Sequence, residues 1–319
     1  MNQDFAQNKN ISIPSYFYIS GFSGIPHTRY YYIFLFLVYI ITVLGNSCLM
    51  LVIIIDRNLH TPKYIAVFNL SLTDICESTA VIPQLLDTFL FGNQFIPYGL
   101  CLYNMFSVYV SISTQSLTLA VLSFDRFIAI CLPLRYHMIV THRSMLGIIG
   151  ATWAVALLMV TVATIFISRL SFCRFIVIIN SFYCDHGPIY YSACSDNFPN
   201  SVIGSLYPIM IIGLPVFFII FSYTCIAVTL FRITTPQDRQ RATKTCTAHL
   251  ILVAVFYVPI TFTYALSSFI NTNTRIINLS LTSTLPPMLN PIIYTFKTEE
   301  FMVSVKRLLK RSMIFPSKK

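Results

Sequence analysis

Charged residues are scarce in this chain. They make up only 10% of its 319 residues, whereas a soluble domain carries about 25%. Hydrophobic residues make up 56%, and the mean hydropathy is +0.72. The shortage of charge excludes an ordinary soluble domain and indicates a chain that crosses a lipid bilayer several times.

Other absences narrow the class of function. Between Arg275 and Lys297 the sequence has no lysine, so the last apolar segment cannot hold a chromophore through a Schiff base, which excludes a light receptor. Cys246 and His249 have the spacing of half a metal site, but no second ligand pair accompanies them, which argues against zinc. The lack of a nucleophile beside a base argues against an enzyme. The lack of an internal repeat argues against a transporter or channel.

Seven apolar segments are long enough to cross about 30 Å of hydrocarbon, which takes about 20 helical residues. They lie near residues 30–55, 64–90, 101–131, 145–167, 202–231, 247–270 and 276–296. Because lipid offers no water to an open backbone, each crossing is expected to be a helix. The sequence therefore predicts an all-α membrane protein, a seven-transmembrane helix bundle.

The chain is expected to have three parts. Residues 1–28 are predicted to be an extracellular tail, residues 29–296 the bundle, and residues 297–319 a cytoplasmic helix and tail. In the last part, Phe301 and Val305 alternate with lysine and arginine, which is typical of a short amphipathic helix lying on the inner leaflet. This pattern predicts contact with membrane lipid.

Basic residues are distributed unevenly between the two sides of the bundle. Of the 21 lysines and arginines, 16 fall in loops and tail on one side, and the positive-inside rule places that side in the cytosol and the N-terminus outside. The net charge of +10 therefore indicates orientation in the plasma membrane and contact with anionic lipid, not nucleic-acid binding. No cleaved signal peptide is evident. A glycosylation sequon at Asn10 lies on the predicted outside.

Two pairs of charged residues interrupt the apolar segments. Asp125 and Arg126 end the third segment, and a charge is expensive in the bilayer, so an adjacent pair there predicts a functional role. Asp74 and Glu77 lie on one face of the second segment. Asp74 predicts a site for a small cation or a proton, whereas for Glu77 a buried, protonated, structural role is favoured over contact with a ligand. Polar residues expected to join this network from other helices are Asn46, Gln115 and Asn290.

Four cysteines lie on the predicted outside. Cys101 opens the third segment, and Cys173, Cys184 and Cys194 lie in the long loop between the fourth and fifth segments. Four thiols permit three pairings. We expect this loop to be a lid held by disulfides.

These landmarks together resemble the pattern of the rhodopsin-like G-protein-coupled receptors. The stretches LHTPKY, DRFIAICLPLRY, KTCTAHL and PPMLNPIIY, with Ser222 and Tyr223, are similar to those of olfactory (odorant) receptors, and Pro286 with Pro287 resembles the fish-like class I group. The resemblance implies a receptor that binds an odorant and activates a stimulatory, olfactory-type heterotrimeric G protein and cyclic AMP signalling. The alternative is a non-olfactory rhodopsin-like receptor for another small metabolite.

The resemblance also implies roles for single residues. Cys101 would pair with Cys184, and Cys173 with Cys194. Arg126 would hold the inactive helix ends and later face the G protein. The other residues implied in G-protein coupling and activation are Asp125, Tyr223, Tyr257, Pro259, Asn290, Pro291 and Tyr294.

Three positions depart from the family pattern. Lys63 stands where methionine is usual, and Phe127 where tyrosine is commoner. Gln115 stands where a glutamate is frequent. We therefore expect Glu77 to supply the missing carboxylate of a sodium site near Asp74.

A ligand pocket is expected in the outer half of the bundle, under the lid. Aromatic walls with a few hydroxyls suit a small, partly polar ligand, and no basic residue is expected to point into the pocket. Helical spacing from the matched landmarks gives its predicted lining as Tyr109, Ile112, Ser113, Tyr207, Ile211, Tyr257, Thr261, Tyr264, Ser280 and Ser283.

Overall fold

The computed structural model describes residues 13–22, 27–232, 235–266 and 269–314. Helices dominate this part of the chain. They are α1 (Thr28–Ile55), α2 (Pro62–Phe89), α3 (Tyr98–Cys131), α4 (Tyr136–Ile139), α5 (His142–Ser168), α6 (His186–Tyr191), α7 (Phe198–Pro208), α8 (Leu214–Arg232), α9 (Pro236–Ala265), α10 (Thr272–Thr282), α11 (Leu285–Lys297) and α12 (Glu299–Ile314). The predicted glycosylation site Asn10 lies outside the described residues.

The helices form the predicted seven-transmembrane bundle. Six crossings are long, apolar helical stretches: α1, α2, α3, α5, the continuous stretch Phe198–Arg232 formed by α7 and α8, and α9. The seventh is divided into α10 and α11 at Ser283 and Thr284. Because Pro286 and Pro287 follow this break and donate no backbone hydrogen bond, the helix cannot run through it unchanged. The all-α prediction is confirmed.

One boundary differs clearly from the sequence prediction. The sixth crossing was expected over residues 247–270, but α9 begins at Pro236 and ends at Ala265. Its first part is polar because it extends beyond the bilayer, where a helix needs no apolar surface. Hydropathy therefore located the crossing but not the cytosolic end of the helix.

Helix α3 lies at the centre of the bundle and packs against α2, α5, α8 and α9. Its buried positions are largely polar, and Thr114, Gln115, Ser116 and Thr118 are all at most 1% exposed. Several of these hydroxyls bond backbone carbonyls of the same helix, as Thr114 does with Val110. Such bonds within the helix satisfy many of the hydroxyls that the centre of the bundle holds.

Helix α1 contacts α11 closely at a glycine. A Cβ placed on Gly45 would lie 3.0 Å from Cγ of Pro291. One residue further along, Nδ2 of Asn46 donates to the carbonyl of Pro287 at 2.8 Å. Small and polar residues thus let the two backbones approach and join them by a hydrogen bond.

A three-stranded sheet covers the outer end of the bundle. Strand β1 (Tyr16–Ile19) lies in the middle, antiparallel to β2 (Phe95–Pro97) and parallel to β3 (Ile176–Ile179). Alternate residues of β1 are buried, and Phe17 and Ile19 are fully so. The predicted extracellular tail therefore contains a strand that packs on the loops, which the sequence prediction missed.

Helix α12 runs from the end of α11 and is fixed to the first cytosolic loop. Glu300 accepts from Nζ of Lys63 at 2.5 Å, and Arg307 lies 3.0 Å from Asp56. Burial would raise the pKa of Asp56, but hydrogen bonds from Asn58 and Ser304 and the charge of Arg307 outweigh it and hold that pKa below its ordinary value. These contacts place α12 against the bundle.

Candidate functional site

Two disulfides hold the long outer loop. One joins Cys101 to Cys184, and the other joins Cys173 to Cys194, which is the pairing that the resemblance implies. Cys101 lies in the first turn of α3. The first disulfide therefore places the residues that follow Cys184 directly over the bundle.

An outer cavity of about 350 Å³ lies beneath this loop. It is bounded by α3, α5, α6, α7, α9 and α10, and its size is within the range of small-molecule sites. Six tyrosines line it, at positions 109, 183, 190, 191, 207 and 264, together with Asp185, His186, Thr263 and Arg275. Aromatic rings that carry hydroxyls therefore provide most of its walls.

A buried carboxylate organises the top of the outer cavity. Asp185 accepts from the Tyr109 hydroxyl at 2.7 Å and from the Arg275 guanidinium at 2.9 Å. The expectation that no basic residue points into the pocket was wrong. Arg275 lies in the first turn of α10, not in a loop, and the direction of that helix brings it to the cavity.

A deeper cavity of about 30 Å³ continues toward the bundle centre. It shares Tyr109, Tyr183, Tyr207 and Tyr264 with the outer cavity. Its further lining includes Glu77, Ile112, Ile211 and Ser283. The four shared tyrosines thus stand between the outer cavity and the polar centre.

Six of the ten predicted pocket residues line one or both cavities. Tyr109, Tyr207 and Tyr264 line both cavities, and Ile112, Ile211 and Ser283 line the deeper one. Ser113 lies behind them and bonds the Tyr207 hydroxyl at 2.8 Å. Tyr257 lies below them and bonds Ser116 at 2.7 Å.

Two predicted pocket residues lie elsewhere. Thr261 is exposed on the outer surface of α9, and Thr263 lines the cavity in its place. The buried face of α9 runs through Phe256, Ile260 and Thr263, and at helical spacing Thr261 lies outside it. Ser280 faces α1, where its hydroxyl bonds that of Tyr31 at 2.6 Å. Counting residues from the matched landmarks therefore did not place these two side chains correctly.

The carboxylates of α2 lie at the centre of a polar network. Oδ2 of Asp74 accepts from Asn290 at 2.7 Å, whereas Oδ1 is buried without a hydrogen-bond partner. Glu77 lies beside Gln115 and Ser283. Asn46 bonds Thr42 and Pro287 and not these carboxylates.

The inner end of the bundle carries the charged pair. Arg126 lies 3.0 Å from Asp125, which also accepts from the Tyr136 hydroxyl at 2.9 Å. Arg126 lines an inner cavity of about 120 Å³ together with Lys63, Lys244, His249, Tyr294 and Glu300. The Tyr223 hydroxyl contacts Nδ1 of His249 at 2.6 Å, so α8 and α9 are joined beside this cavity.

Comparison with known proteins agrees with these features. A family model described as "Olfactory receptor" matches residues 35–312. Olfactory receptor 13C2 of Homo sapiens is 34% identical over 95% of this chain and 98% of its own length. Olfactory receptor 1082 of Rattus norvegicus is 32% identical over 92% of this chain and 93% of its own length, and olfactory receptor 7A40 of Mus musculus is 33% identical over 95% and 98%. The chain belongs to the olfactory receptor family.

Proposed function

We propose that this protein is an odorant receptor of the plasma membrane. It binds a small odorant in the outer cavity and activates a heterotrimeric G protein of the stimulatory, olfactory type at its inner end, which raises cyclic AMP. Its N-terminus is extracellular and its C-terminus cytosolic. Assignment to the class I group stays a prediction.

One observation carries this proposal: a single helix connects the two ends. Tyr109 of α3 lines the outer cavity, and Arg126 of the same helix lines the inner one. These residues are 17 positions apart, which corresponds to about 25 Å of helix. A ligand that shifts α3 relative to its neighbours therefore acts on the inner charged pair through a rigid element.

The mechanism requires a second state that the ligand binds more tightly. In the state described here, Tyr257 of α9 donates to the carbonyl of Ser116 at 2.9 Å, and Tyr223 contacts His249. Both contacts hold α9 against its neighbours. An outward swing of α9 at Pro259 would break them and open the cavity around Arg126, which provides a surface for a helix of the G protein.

The proposal is tested by a cyclic AMP screen of diverse volatile and water-soluble compounds on cells with the receptor at their surface. Arg126→Ala should abolish the response to any active compound while surface expression remains. Arg143→Ala is the matched control, because Arg143 is exposed and lies on the same cytosolic side. A full response from Arg126→Ala would contradict the mechanism.

We further propose that sodium binds near Asp74. The unpartnered Oδ1 of Asp74 and the unpartnered hydroxyl of Ser78 are oxygen donors, as a hard cation prefers, and Glu77 adds a second carboxylate nearby. Sodium should lower basal signalling, and Glu77→Gln should weaken that effect. Sodium sensitivity unchanged by this substitution would count against a role for Glu77.

A further inference from the structure

A second, larger cavity on the cytosolic side adjoins the inner cavity and shares Lys63, Arg126 and Glu300 with it. It has a volume of about 940 Å³ and lies between the turn after α1, the α4 turn, the start of α5, and α12. Its ionisable lining residues are His60, Lys63, Arg126, His137, His142, Glu300 and Arg307. Cations and imidazoles therefore outnumber the one carboxylate.

The cationic side chains retain capacity to bind a further anion. Arg307 contacts Asp56 through Nη1, and a guanidinium has five N–H donors in all. Lys63 is paired with Glu300, whose side chain is 59% exposed and can turn into water. A polyphosphorylated group could therefore bind both cations without leaving a buried carboxylate unpaired.

Histidines are concentrated at this cavity. Three of the six in the chain line it, namely His60, His137 and His142, and all three are exposed. Among the described residues, no group of three or more His, Cys, Asp or Glu side chains is placed to hold a metal ion. Nε2 of His60 and Nε2 of His142 contact the carbonyls of Ile54 and His60, so each ring offers its second nitrogen as a donor when it is protonated. Protonated imidazoles beside arginine and lysine are suited to the oxygens of a phosphate.

Two long helices begin at the same cavity. Pro62 and Lys63 open α2, His142 opens α5, and all three residues line the cavity. Neither helix has an acidic residue in its first turn. The positive ends of two helix dipoles therefore add to the side-chain charge and favour an anion.

We propose that this cavity binds the phosphorylated headgroup of an inner-leaflet lipid, a phosphoinositide. The position of α12 favours a lipid over a soluble anion. Arg307 and Val303 of α12 form one wall, and Val303 is 53% exposed. An amphipathic helix with basic and apolar residues lies in the plane of the headgroups, so the cavity opens where phosphorylated headgroups are found.

The test uses the full-length receptor purified in detergent and dioctanoyl phosphatidylinositol 4,5-bisphosphate as the probe, with binding measured by microscale thermophoresis. Dioctanoyl phosphatidylcholine and free inositol 1,4,5-trisphosphate are the comparison compounds. The bisphosphate lipid should bind at least about tenfold more tightly than either, because both charge and acyl tails contribute.

Matched substitutions distinguish lipid binding in the cavity from attraction to general surface charge. His137→Gln, His142→Gln and Arg307→Gln alter cavity residues. Arg135→Gln, Arg143→Gln and Lys306→Gln alter exposed basic neighbours that do not line the cavity. Arg307→Gln should weaken lipid binding about tenfold, as expected for a charged hydrogen bond. His137→Gln should weaken it more than Arg135→Gln does, and His142→Gln more than Arg143→Gln does.

Three results would overturn the proposal. Equal losses from the cavity variants and their neighbours would assign the binding to diffuse charge. Equal affinity for the lipid and for inositol trisphosphate would assign it to a soluble anion. Binding that excess unlabelled lipid does not displace would assign it to unsaturable partition into the detergent micelle. Thermal unfolding midpoints within the wild-type range verify that each variant is folded.

Discussion

The carboxylate of Asp185 lies 2.9 Å from the guanidinium of Arg275 and also accepts the hydroxyl of Tyr109. These three residues belong to the outer loop, to α10 and to α3. A disulfide fixes the residue before Asp185 to α3, so the ion pair is what extends this attachment to α10. The outer loop forms the roof of the outer cavity, and this roof is therefore attached to both α3 and α10.

The Asp185–Arg275 pair should stabilise the roof measurably. Asp185 is buried but the Arg275 side chain is 35% exposed, so water screens the pair and we expect a coupling energy of about 1 kcal/mol. A double-mutant cycle with Asp185→Asn and Arg275→Gln, read by thermal unfolding, measures it. Arg174→Gln, an exposed arginine of the same loop, is the control and should be neutral. Strictly additive effects of the two changes would contradict the pairing.

His186 should make the outer loop sensitive to acid. Burial lowers the pKa of His186 below its ordinary value of 6.5, although the charge of Asp185 opposes this. The unfolded chain therefore binds a proton below about pH 6.5 that the folded chain does not, and stability should fall as the pH drops from 7.5 to 5.5. His186→Gln should flatten the dependence of the unfolding midpoint on pH, and Arg174→Gln, an exposed change in the same loop that removes no imidazole, should not. A steeper dependence in His186→Gln would contradict this assignment.

Gly45 should tolerate no larger side chain. Even the Cβ of alanine would lie 3.0 Å from Pro291, and Pro291 is held inside α11. Gly45→Val should destabilise the receptor by about 1–3 kcal/mol through overpacking, with a matching fall in surface expression. Leu44→Val, at a position that is 66% exposed, provides the control. Normal stability of Gly45→Val would show that the contact between α1 and α11 is looser than described.

Thr263, and not Thr261, should affect ligand potency. Thr263 is 3% exposed, lines the outer cavity and accepts a hydrogen bond from Asn278, whereas Thr261 is on the outer surface of α9. Thr263→Val removes a hydroxyl from the cavity wall and leaves the Asn278 amide without this acceptor. The free energy of unfolding should fall by about 1–3 kcal/mol. The substitution should also raise the half-maximal concentration of an agonist in a cyclic AMP assay. The reverse result, with Thr261→Val the stronger, would contradict this rotation of α9.

Local sequence patterns predicted what depends on local composition. The number of crossings follows from the length of apolar runs, and the amphipathic pattern around Phe301 follows from residues within two turns. The central position of Asp74 and the charged pair at Arg126 follow from the cost of placing charge in lipid. The disulfide pairing came from the family resemblance, because spacing alone left three choices.

What sequence patterns did not predict depends on helix rotation and on distant contacts. The buried face of α9 runs through Phe256, Ile260 and Thr263, so counting four residues on from Tyr257 placed Thr261 outside that face. Arg275 lies just before the predicted seventh segment, which begins near residue 276. In the structure α10 begins at Thr272, and this earlier start brings Arg275 to Asp185. The signal that could have found Asp185 was its position directly after Cys184, which the first disulfide fixes over the bundle.

The central place of β1 in the outer sheet has a consequence for biosynthesis. Of the three strands β1 leaves the ribosome first, its partner β3 is made far later, and 160 positions separate the bonded pair Ser20 and Asn180. Since β3 pairs only with β1 in this sheet, the sheet cannot be completed until four crossings have been inserted. The outer covering of the receptor is thus among the last of its parts to form.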